Sequence, residues 1–125
     1  MMTAMYTVVV ESQFSAIHHV RMRDGRWEEP HGHDWLVRAY FCRRELDGAD
    51  MVVDLGEATT ALGSVLERLH HRNLNEHPAL AGRNPTAEVV AEYILNALTE
   101  LPAATLRRVE VTEAPGCVAI VERVP

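Results

Sequence analysis

A chain of 125 residues, 47% hydrophobic and 24% charged, has the size and composition of one soluble domain with a real core. Its formal net charge of -6 argues against a nucleic-acid partner, which would require a basic stripe. Its two cysteines cannot build a disulfide framework, and no apolar run approaches the roughly 18–20 residues that span a bilayer.

The N-terminus lacks the charged start and apolar core of a signal peptide, so the expected compartment is the cytoplasm. Residues 5–12, MYTVVVES, alternate and are β-branched, which predicts a strand whose alternation continues through Phe14, Ala16 and His18. Residues 20–30 are polar and broken by Gly25 and Pro30, a loop. Residues 31–46 read as a second long strand, closed by the turn DGAD at 47–50.

A helix follows, with Asp54 as N-cap and Glu57 in the capping-box position. Leu55, Ala58, Leu62, Val65, Leu66 and Leu69 fall on one face. A long connector over 70–85 leads to a second helix that starts near Asn84, Pro85 and Thr86, with Pro85 suited to the first helical position. Val89, Val90, Tyr93, Ile94, Ala97, Leu98 and Leu101 form its buried stripe, and Pro102 ends it. Two strands complete the chain, about 105–113 and 117–124, joined by the tight turn APG at 114–116. The order ββααββ gives one domain over 1–125, an α+β fold with two helices on one face of a four-stranded sheet. Sheet edges need pairing or cover, which predicts a homo-oligomer.

The chemistry gathers in RWEEPHGHDWLV, residues 26–37. On a strand, His31 and His33 point to the same face, and His18 on the neighbouring strand shares the parity of Phe14 and Ala16. Three neutral imidazoles from adjacent strands suit a catalytic zinc site with an open fourth position. An isolated H-x-H pair is equally the mark of a partly exposed pair with no ligand role.

FSAIH (14–18), HGH (31–33), MVVDL (51–55), LHHRNLN (69–75), NPTAE (84–88) and VEVTEAPG (109–116) occur in one order. Together they resemble the 6-pyruvoyl-tetrahydropterin synthase / 6-carboxy-tetrahydropterin synthase family over nearly the whole chain. The resemblance implies a tunnelling fold: a four-stranded antiparallel sheet with two helices on one face. It implies three subunits closing a twelve-stranded barrel, with two trimers usually stacked into a hexamer. It also implies zinc on His18, His31 and His33, and a pterin substrate such as 7,8-dihydroneopterin triphosphate. Glu113 matches the family's pterin-anchoring glutamate, since a carboxylate accepts two parallel hydrogen bonds from a guanidine-like edge.

The chain departs from that pattern in two places. The family's catalytic cysteine lies four residues before the HGH motif, where this chain has Trp27. The family's Asp-His pair follows the first helix, where this chain has His70 and His71. Cys42 and Cys117 are expected to be packing residues. Glu28, next to the missing cysteine's position, resembles the glutamate of family members that cleave the whole side chain. It is the proposed general base, with His71 as partner and His70 as a second imidazole. Trp27 is a pocket wall or a loop cover, and Arg21, Arg23 and Arg26 are candidates for contacting an anion. These departures leave two alternatives to a zinc-dependent lyase: the same scaffold on another substrate, or an inactive homologue that binds zinc and a pterin-like ligand.

Overall fold

Alternating burial along the first half of the chain resolves into two long paired strands. β1 (Tyr6–His18) and β2 (His31–Arg43) run antiparallel, with Tyr6 opposite Arg43 at one end and His18 opposite His31 at the other. The computed structural model describes residues 2, 4–98, 101 and 105–125. The second strand stops at Arg43, three residues short of the expected end. There Arg43 Nε turns to donate to Glu45 O at 2.9 Å, and residues 44–51 form a turn in which Asp47 Oδ1 accepts from Ala49 N and Met51 N.

The helix α1 (Leu55–Glu67) begins as its sequence predicts, with Asp54 Oδ1 accepting from Glu57 N at 2.9 Å. Ala58, Leu62, Val65, Leu66 and Leu69 are buried, but Leu55, the first residue of the helix, is exposed. The connector is more ordered than a plain loop. It holds two short 3-10 turns, Leu74–Glu76 and Pro78–Leu80. Its first part runs beside β1, where His71 N donates to Ser15 O (2.6 Å) and Ile17 N to Arg72 O (3.0 Å).

The second helix, α2 (Ala87–Ala97), is capped by Thr86, whose Oγ1 accepts from Val89 N. Pro85 therefore precedes the cap instead of opening the helix. Thr86 wins that place because its hydroxyl satisfies an orphan amide, which a proline ring cannot do. Val90, Ile94, Leu98 and Leu101 are buried as expected, Val89, Tyr93 and Ala97 only half-buried, and Ala87, Ala91 and Leu95 extend the packed face. Pro102 lies outside the described residues.

β3 (Leu106–Ala114) and β4 (Cys117–Glu122) form the closing hairpin, with Gly116 at φ +83° taking the left-handed position of its turn. The sheet is antiparallel throughout, in the order β1-β2-β3-β4. α1 packs on β1 and α2 on β3 and β4, so both helices cover one face. Phe14, Trp35, Phe41, Val37 and Val109 fill the space between the layers with side chains from Leu62, Leu69 and Ile94. Each such residue contributes about 1.5–3 kcal/mol by leaving water. Among the described residues, no helix is long and apolar enough to cross a membrane.

Candidate metal centre

The end of the sheet where His18 meets His31 carries the chemistry. Alternation turns His31, His33 and Trp35 to the helix-covered face, the face that His18 closes from β1. Glu113 reaches the same place from β3, two residues beyond buried Val111. The ligand atoms of His18, His31, His33 and Glu113 all lie within 4.8 Å of one another. Trp35 makes the floor. It is fully buried, stacks on Phe14 at 5.7 Å and meets His18 and His33 edge-on at 4.8 and 5.5 Å.

Tautomers follow from the hydrogen bonds. His18 Nδ1 donates to Pro85 O and His31 Nδ1 to Glu29 O, each at 2.8 Å. A carbonyl oxygen only accepts, so each Nδ1 carries a proton and Nε2 is the ring nitrogen left to face the cluster. Glu113 Oε1 lies 2.7 Å from His18 Nε2 and 3.3 Å from His33 Nε2, yet neither buried nitrogen has a hydrogen bond of proper geometry. Lone pairs facing a carboxylate oxygen this closely require a positive centre among them, either a proton or a metal ion. Burial holds the His33 pKa below its ordinary value; Glu113 opposes the shift and His31 and His18 reinforce it. Burial thus favours the neutral form of His33, the form that binds a metal. Three imidazoles with one carboxylate fit a first-row divalent cation.

Glu28 stands at the rim. Its Oε1 accepts from Val20 N at 2.9 Å and lies 3.6 Å from His31 Nε2. The loop that carries it is a small hairpin, in which Arg21 bridges to Trp27 and Glu28 N donates to Val20 O. Trp27 is 54% exposed and packs on His19, with ring centroids 4.8 Å apart. Arg21, Arg23 and Arg26 are exposed, and Arg26 is paired with Asp24.

His70 and His71 do not join this group within one chain. They sit beside β1 at Ser15, stacked with centroids 3.7 Å apart. His70 Nδ1 accepts from Ser15 N at 3.1 Å, and His71 takes a left-handed backbone, φ +57°. His71 lines a cleft with Ser15, Asp34 and Arg72, a cleft that His33 also borders. Cys42 is half-buried near Thr7, at the opposite end of β2 from the histidines. Cys117 is exposed, contrary to a packing role, because edge strand β4 leaves it uncovered in a cleft with Glu113, Glu88 and Val118.

Sequence reasoning missed the groups behind the ligands: Trp35, and the carbonyls of Glu29 and Pro85. Trp35 was legible, since it continues the alternation of His31 and His33. The carbonyl of Pro85 comes from 67 residues away and leaves no mark in spacing.

The chain matches the family described as 6-pyruvoyl tetrahydropterin synthase over residues 7–124. It is 30% identical over 114 residues to the 6-carboxy-5,6,7,8-tetrahydropterin synthase of Synechocystis, covering 87% of each chain. Its fold superposes on the 6-pyruvoyl tetrahydropterin synthase of Caenorhabditis elegans with a TM-score of 0.83 at 20% identity, covering 98% of both chains. The Plasmodium vivax 6-pyruvoyltetrahydropterin synthase, in a form described as a mutant of a catalytic glutamate, superposes with a TM-score of 0.81 at 20% identity, over 96% of this chain and 98% of that one. With the strand order, the two helices on one face and the His/Glu cluster in place, the chain belongs to the 6-pyruvoyl tetrahydropterin synthase family.

Proposed function

We propose that the protein is a zinc-dependent lyase acting on 7,8-dihydroneopterin triphosphate or a closely related pterin. The observation that carries this reading is the convergence of His18, His31, His33 and Glu113 on one point, with Glu28 beside it. The three histidines hold zinc, which supplies Lewis acidity that makes a side-chain hydroxyl of the substrate more acidic. Glu113, 26% exposed, lies between the cluster and the cleft it shares with Cys117, and from there it accepts hydrogen bonds from the pterin edge. Glu28 is the base. Its Oε1 is held by Val20 N, which leaves Oε2 to take a proton from the substrate. The Plasmodium vivax relative's catalytic glutamate supports a carboxylate in this role. Trp27 offers a flat wall at the rim for a bicyclic ring.

His71 enters from a neighbouring subunit. Strands β1 and β4 are the two edges of the sheet, and both carry exposed apolar side chains: Tyr6 and Val9 on one, Val118 and Ile120 on the other. The connector already occupies β1 at Ser15 and Ile17. An antiparallel partner strand therefore has the Tyr6 end of β1 free. That pairing sets the Cys117 end of a neighbour's β4 next to His70 and His71, and so brings His71 toward the neighbour's Glu113. Three chains joined this way close a barrel without open edges.

His70 favours a second reading. The nitrogen that would accept a proton, Nδ1, is committed to Ser15 N, so His70 does not replace the family's aspartate as an orienting carboxylate. A chain without that aspartate and cysteine binds zinc and a pterin-like ligand but acts on another substrate, or on none. Metal-stripped and zinc-restored protein are compared for consumption of 7,8-dihydroneopterin triphosphate. Turnover that appears with zinc supports the lyase, whereas binding without turnover supports the second reading.

A further inference from the structure

Of the motif NPTAE, only the Pro85 carbonyl has entered the site described so far, yet the chain around Asn84 is tied down by several hydrogen bonds. Asn84 Oδ1 accepts from Arg21 N at 2.8 Å and Asn84 Nδ2 donates to Arg21 O at 2.9 Å. The amide thus pairs with Arg21 as a neighbouring strand would. Thr86 N donates to Asn84 O at 2.8 Å, closing the corner, and Thr86 Oγ1 caps α2. Between them, buried Pro85 aims its carbonyl at His18 Nδ1.

We infer that the Asn84–Pro85 corner is a positioning element that sets the tautomer and ring orientation of His18. His18 is fully buried, so bulk water does not reach its Nδ1 in place of the Pro85 carbonyl. The carbonyl keeps a proton on Nδ1 and thereby keeps Nε2, the nitrogen a metal would take, turned toward Glu113. His31 obtains the same service from Glu29, two residues away on its own segment. For His18 the acceptor is remote, and its position depends on how the corner is fastened. Asn84 fastens it to Arg21, three residues beyond His18, so ligand and acceptor are clamped to the same stretch of chain. Asn75 works alongside: its side chain makes the same two-bond pairing with the backbone of His19, at 2.9 Å each way. The inference deepens the metal reading above and rests on it for its affinity readout.

The test uses Asn84→Ala with two readouts. Zinc affinity, measured by competition with a chromophoric chelator, should fall about 10–100-fold, the usual effect of losing a partner behind a ligand. Imidazole nitrogen NMR of the metal-free protein should show His18 Nδ1 fully protonated and hydrogen-bonded in the wild type and only partly protonated in the variant. Wild-type affinity in the variant overturns the inference. Weakened zinc with an unchanged His18 pattern also overturns it, because the effect then bypasses His18. Should Asn84→Ala fail to fold, Asn84→Asp keeps the acceptor for Arg21 N but sets an acceptor against Arg21 O in place of the donor, and the same readouts should show losses of the same direction. A wild type that holds no zinc sinks the metal reading; the nitrogen pattern still decides the role of the corner.

Discussion

Glu28 Oε1 lies 3.6 Å from His31 Nε2 while accepting a hydrogen bond from Val20 N, so the carboxylate is held at the rim of the histidine cluster. That relationship puts a carboxylate next to the position where the sequence lacks the family's cysteine. Glu28→Gln keeps the shape and the bond to Val20 N but removes the basic oxygen. It should lower kcat about 10²–10⁴-fold, the range for a general base, and leave bound zinc unchanged. Turnover at the wild-type rate would remove Glu28 from the mechanism.

Removing a ligand separates site from scaffold. His31 is half-buried at the first residue of β2, outside the packed core. His31→Ala should lose stoichiometric zinc, read by elemental analysis after dialysis, while its circular dichroism spectrum stays that of the wild type. A variant that retains one zinc per chain would contradict the ligand assignment.

Trp35 carries both packing and site. Its ring is fully buried against Phe14, and its Nε1 donates to Ala16 O at 3.3 Å. Trp35→Ala should destabilise the fold by about 3–5 kcal/mol through the cavity it leaves, measured by urea unfolding. Trp35→Phe keeps most of the volume and should cost about 0.5–1.5 kcal/mol for the lost hydrogen bond. Equal losses in the two variants would mean that volume is not what Trp35 supplies.

The turn after β2 gives a pH signature away from the site. Hydrogen bonds from Ala49 N, then Met51 N, hold the Asp47 carboxyl below the ordinary aspartate value. Because the folded pKa lies below the unfolded one, the stabilisation is present above the unfolded value and is lost as pH falls through the folded one. Asp47→Asn should therefore melt below the wild type at neutral pH, and the gap should close in strong acid. A gap in Tm that does not change with pH would show that charge plays no part.

Much of the fold could be read directly, because alternation and caps are local signals. Phe14, Ala16 and His18 marked the inner face of β1, and Asp54 marked the start of α1. The clustering of the three histidines was legible for the same reason, since parity alone puts His31 and His33 on one side. Other features escaped. Pro85 looked like a helix opener because its ring suits that position, but the hydroxyl of Thr86 took the cap. Leu55 fell on the apolar stripe by spacing, yet as the first residue of the helix it is exposed. Cys117 read as packing, but β4 is an edge, and whether an edge is covered depends on neighbours that spacing does not encode. The places of His70 and His71, at an edge and apart from Glu28, depend on assembly in the same way.

The most direct measurement is mass spectrometry of the products formed when zinc-loaded protein is incubated with 7,8-dihydroneopterin triphosphate. Loss of the triphosphate side chain, wholly or in part, is the result expected of a zinc-dependent lyase, and the mass of the pterin product tells elimination from cleavage of the whole side chain. Substrate recovered intact from a protein that binds it would contradict lyase activity on this pterin.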